Sequence, residues 1–119
     1  MLRKRSVLFP AAGLLLISTP VLAETIQPDE APRHFGQVVT VEGLVSDVHH
    51  AASGRATFID IGGRYPNNPF TAVIFLDDAN KFPDVDTLEG KTVDITGTIK
   101  NYKNRPEIIL NDANQVKVK

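Results

Sequence analysis

The chain has no cysteine, no tryptophan, one methionine and no excess of charge of one sign. The missing thiols exclude disulfides, thiolate catalysis and every cysteine-based zinc site. With 13 Lys+Arg against 14 Asp+Glu, no general cationic field exists to hold nucleic acid by charge alone. Long apolar runs are scarce too. The one at residues 7 to 17, VLFPAAGLLLI, is broken by Pro10 and Gly13 and falls short of the roughly 20 residues a spanning helix needs. No nucleophile elbow, phosphate loop or catalytic triad spacing occurs. These absences point to a binding module without enzymatic activity and without a cofactor.

Arg3, Lys4 and Arg5 precede the apolar run, and Val21 and Ala23 supply the small-residue pattern for cleavage between Ala23 and Glu24. Residues 1–23 therefore read as a signal peptide, and the expected location is periplasmic or secreted, with no membrane span after processing. No cysteine follows the run to accept a lipid, and no Arg–Arg pair marks a twin-arginine exit. Cleavage removes three cations and no acid, so the formal charge moves from −1 to −4. Residues 24–36 hold two prolines and mixed charges without periodicity, which predicts a flexible lead-in. Residues 37–119 are expected to form one domain.

That domain reads as strands. Residues 37 to 48 alternate, with Val39, Val41 and Val45 on one face, Thr40, Glu42 and Ser46 on the other, and Gly43 marking a bulge or bend. Residues 56 to 61 form a second strand, with Thr57, Ile59 and Ile61 facing the core and Phe58 and Asp60 opposite. A turn-rich block at 62 to 69 leads to a third strand at 70 to 76. Residues 77 to 82 predict a short helical insert, capped by Asp77 or Asp78 and stopped by Pro83. A fourth strand at 92 to 100 carries Gly97 in its middle, a fifth spans 106 to 110, and 115 to 119 adds a closing piece. The pattern predicts an all-β fold: a five-stranded Greek-key OB-fold barrel with a short helical insert between strands three and four.

The segments VVTVEGLVSDV, ATFIDIGG, FTAVIF and GKTVDITGTIKNYKNRPEIIL resemble the small OB-fold nucleic-acid-binding domains. The likeness extends to free-standing bacterial ones and to the anticodon-binding barrels of some aminoacyl-tRNA synthetases. It is closer still to exported bacterial domains with GG-x-YP, FTAVIF, KFPD and GRPEIIL patterns. Here Asn104 stands where that last pattern has glycine, and asparagine also tolerates the left-handed backbone.

The resemblance implies single-stranded DNA or RNA as partner, with Phe58 stacking on a base as in the synthetase barrels. By the same logic Tyr65, Phe70 and Tyr102 are candidate stacking residues, and Arg64, Lys100, Lys103 and Arg105 candidate phosphate contacts, with Arg55 nearby. Phe58 and Phe75 could equally fill the core. An envelope protein, a glycan or a small solute is the alternative partner, favoured by compartment and net charge. No metal site is expected. Asp77, Asp78, Asp84 and Asp86 match no calcium loop, and His49 and His50, adjacent on a strand, point to opposite faces.

Overall fold

The computed structural model describes residues 22–119. The expected signal peptide lies outside the described residues, apart from Leu22 and Ala23. Among the described residues no helix is long and apolar enough to cross a membrane.

Eight strands form a mixed sheet: β1 (Glu24–Ile26), β2 (Val38–His50), β3 (Ala56–Ile61), β4 (Phe70–Phe75), β5 (Thr92–Thr98), β6 (Lys100–Tyr102), β7 (Arg105–Ile109) and β8 (Val116–Val118). Their order is β6-β7-β4-β3-β2-β5-β8, with β1 added in parallel to β2. The β4–β7 pair is also parallel, as its register Thr71↔Glu107 to Val73↔Ile109 shows. The expected strands one, two, three and five are β2, β3, β4 and β7, and the closing piece is β8. The expected fourth strand is divided at Ile99 into β5, which pairs with β2, and β6, which pairs with β7.

Period-two alternation supplies the core. Val41, Ile59, Ile61, Phe70, Ile95 and Ile108 all face one space and are fully buried. Each such side chain contributes about 1.5–3 kcal/mol by leaving water, so the fold needs no disulfide.

The alternation changes phase once. Between the pairs Val45↔Ile61 and Asp47↔Asp60, β2 advances two residues while β3 advances one. Ser46 is thus the extra residue of a β-bulge. Upstream of it Val39, Val41 and Val45 are buried; downstream Val48 packs on the core, and Asp47 and His49 are carried to the opposite face. The bulge therefore falls three residues after Gly43. Gly43 is required for a different reason: a Cβ there would stand 2.6 Å from Ile61 Cγ2 and 2.7 Å from Pro28 Cγ.

Pro28 belongs to the segment expected to be a flexible lead-in, and that expectation is corrected. Glu24, Thr25 and Ile26 pair in register with Val39, Thr40 and Val41. A 3-10 helix, Pro28–His34, follows, with Pro at its start and a Gln27–Glu30 capping box. Ile26 and Ala31 join the core. Three buried residues, Ile26, Pro28 and Ala31, were enough to dock the segment, because the parallel ladder satisfies its backbone groups and Glu30 Oε1 accepts the Gln27 N–H at 2.7 Å.

The insert between β4 and β5 consists of 3-10 helices at Leu76–Lys81 and Val85–Leu88. The first has no side-chain cap, and Asp77 and Asp78 lie in its first turn.

Candidate ligand-binding cleft

The face of β2, β3, β4 and β7 that turns away from the core forms the floor of a cleft of about 370 Å³. Register decides what lies there. His49 pairs with Phe58, and their rings stack with centroids 5.2 Å apart and planes inclined by 26°. Beside them Asp47 pairs with Asp60. Across β4 and β7, Thr71 pairs with Glu107 and Glu107 with Lys100 of β6, so these side chains share the same face.

Asp60 is the most enclosed group of the floor, with its side chain only 3% exposed. Its Oδ1 accepts a hydrogen bond from Asn68 Nδ2 at 3.3 Å, whereas Oδ2 has no hydrogen-bond partner. His49 Nε2 stands 3.3 Å from that Oδ2, an ion pair when the ring is protonated. Burial pushes the Asp60 carboxyl above its ordinary 3.8, against the opposing pull of His49 and of the Tyr65 backbone N–H. Burial also raises Glu107 above its ordinary 4.5.

Two loops build the walls. Arg105 donates to the Pro66 carbonyl at 3.2 Å and to the Asn68 carbonyl and side-chain oxygens at 3.2 and 2.7 Å, tying β7 to the 62–69 loop. Its guanidinium carbon lies 5.2 Å from the centroid of the exposed Tyr65 ring. Opposite, Lys103 and Asn104 form a two-residue hairpin turn with φ of 51° and 66°. Both residues thus adopt the left-handed backbone that a type I′ turn demands. Lys103 Nζ comes to 5.3 Å from the centroid of Tyr102.

The structure brings together Phe58, Tyr65, Tyr102, Lys103 and Arg105 of the expected binding residues. Lys100 flanks them beside Glu107. Arg64 is exposed on the neighbouring loop, 3.4 Å from Asp47 and 4.0 Å from Glu89. Phe70 is excluded as a stacking residue: it opposes Ile61 in the register and is buried in the core, because alternation from the core residues Ala72 and Ile74 points it inward. Phe75 is exposed, on the same face as Phe58 but outside the cleft lining. Arg55 also lies outside that lining.

Sequence reasoning missed His49, Asp60 and Glu107. Strict alternation from Val45 would send Asp47 and His49 into the core, and only the Ser46 bulge exposes them to the cleft. The expected divergence of the two histidines holds: His50 turns the other way, to Thr57 Oγ1 at 2.8 Å and Asp86 Oδ1 at 2.9 Å.

No family model matches the chain, and no curated protein does. Solved structures do resemble it. An OBody bound to hen egg-white lysozyme superposes with a TM-score of 0.62 at 18% identity, over 85% of this chain and 98% of that one. The fold is OB-like. The aspartyl-tRNA synthetase of Entamoeba histolytica gives a TM-score of 0.57 at 18% identity, over 82% of this chain and 21% of the synthetase. The asparaginyl-tRNA synthetase of the same organism gives 0.50 at 25% identity, over 84% and 24%. The OB-like chain thus spans under a quarter of the synthetases it resembles.

Proposed function

We propose that the cleft binds single-stranded nucleic acid or an oligonucleotide, as an exported OB-fold module without enzymatic activity. The reading includes the five-stranded barrel: β5 pairs with β2, β6 pairs with β7, and Ile99 alone separates β5 from β6, so one bent strand would close the sheet on itself.

The observation that carries the proposal is the gathering of Phe58, Tyr65 and Tyr102 around one cleft with Lys103 and Arg105 at its walls. Aromatic rings and walls of cations are what a single strand requires, since every base has a face to stack and every nucleotide a phosphate. Glu107 on the floor offers acceptors to exocyclic amines, which favours cytosine over thymine. With two cations in the walls, log K should fall with log salt at a slope of about −1.4. Binding is accordingly weak and stacking-led.

The test is fluorescence anisotropy of labelled oligo(dC) and oligo(dT) with the full chain at low and near-physiological salt. Saturable binding that prefers oligo(dC), weakens gently with salt and is reduced by Phe58→Ala supports the proposal. No binding at low salt overturns it and turns the search to an envelope protein, a glycan or a small solute.

A further inference from the structure

We propose that Asp47, His49 and Asp60 bind one divalent transition-metal ion, with Zn²⁺ the best match to the donor set. One oxygen from each carboxylate and one imidazole nitrogen lie within 4.8 Å of one another. A nitrogen with two carboxylate oxygens suits borderline first-row ions, and imidazole disfavours Mg²⁺ and Ca²⁺.

Two further observations point the same way. Asp60 Oδ2 is buried, makes no well-directed hydrogen bond and faces His49 Nε2 at 3.3 Å, which balances its charge only when the ring is protonated. With the ring neutral, a cation held between the two would compensate the buried oxygen. The 3.3 Å between Oδ2 and Nε2 also matches the edge of a tetrahedron with metal–ligand bonds of 2.0–2.1 Å, roughly 3.3 Å.

The second layer of contacts is built as well. Asn68 holds the other Asp60 oxygen, and Arg105 holds Asn68, the kind of support that fixes a ligating carboxylate. Asp47 completes the set by turning from Arg64, its partner at 3.4 Å, whose side chain is 67% exposed. An ion pair so exposed resists displacement weakly. With three protein ligands, the remaining coordination position would open to the cleft. The inference stands apart from the nucleic-acid reading, since it needs no ligand in the cleft.

The experiment is calorimetric titration of the metal-stripped full chain with ZnCl₂, without oligonucleotide, alongside NMR of the histidine rings. The expected result is one equivalent bound, with the His49 ring resonances shifted and those of His50 unmoved. His49→Gln and Asp47→Asn should each weaken binding more than tenfold, while His50→Gln leaves it unchanged. Absence of saturable uptake overturns the inference, as does parental affinity in either ligand variant. The ring resonances of the unaltered chain decide the matter even where a variant folds poorly.

Discussion

Arg105 donates a 2.7 Å hydrogen bond to the side-chain oxygen of Asn68, and so joins β7 to a loop 37 residues earlier in the chain. Asn68 is buried, and the two hydrogens of its amide nitrogen are shared among Asp60 Oδ1, the Phe70 carbonyl and Thr71 Oγ1. One guanidinium therefore sets the loop that carries Tyr65. A lysine has the charge without the fork. Arg105→Lys should cost about 1–2 kcal/mol in urea denaturation, through the buried acceptor left unmatched. An unchanged midpoint would show that the loop holds itself.

Phe58 and Phe70, adjacent strands apart, should respond oppositely to truncation. Phe70→Ala empties a core site and should cost about 3–5 kcal/mol. Phe58→Ala removes a half-buried ring, so its stability loss should be smaller, while oligonucleotide affinity falls by about 1–3 kcal/mol. Paired thermal melts and anisotropy titrations separate the two roles. Equal destabilisation by both would make Phe58 a core residue.

Glu107 links stability to pH. Its carboxyl is raised above 4.5 by burial, so the folded protein holds this proton more tightly than the unfolded chain. The stability from the protonated form is complete below 4.5 and is lost as pH rises through the folded value. Glu107→Gln, which cannot ionise, should raise Tm at neutral pH and converge with the parent in acid. A variant with no gain at neutral pH would contradict the assignment.

Lys103 trades stability for position. Its φ of 51° costs a residue with an ordinary side chain about 1–2 kcal/mol, and the turn nonetheless places its ammonium by Tyr102. Lys103→Asn should stabilise the fold by about 1 kcal/mol and weaken oligonucleotide binding. Chemical denaturation and the salt slope of binding together measure both sides. A variant that binds as well as the parent would remove Lys103 from the site.

The strands were legible because the valines and isoleucines alternate without ambiguity, and Phe58 could be placed outward from Ile59 and Ile61 alone. Tyr65, Tyr102, Lys103 and Arg105 were legible because turn-forming residues surround them. The docking of Ile26, Pro28 and Ala31 was not, since three scattered residues give no period. His49 was missed for a sharper reason: the pairing with Phe58 depends on where β2 gains a residue against β3, and no composition signal marks Ser46. Gly43 drew attention to the right strand and the wrong position.

That extra residue makes the strand's pairing, more than its chemistry, the guardian of the site. Ser46 is half-exposed and should accept most replacements. Its deletion should be tolerated as well, because Asp47 would then follow Val45 directly and alternation alone would keep Asp47 and His49 on the cleft face and Val48 inward. What the site cannot take is a regular pairing of Ser46 against β3. That register would turn Asp47 and His49 into the core and Val48 out to solvent, without one change to the residues that matter.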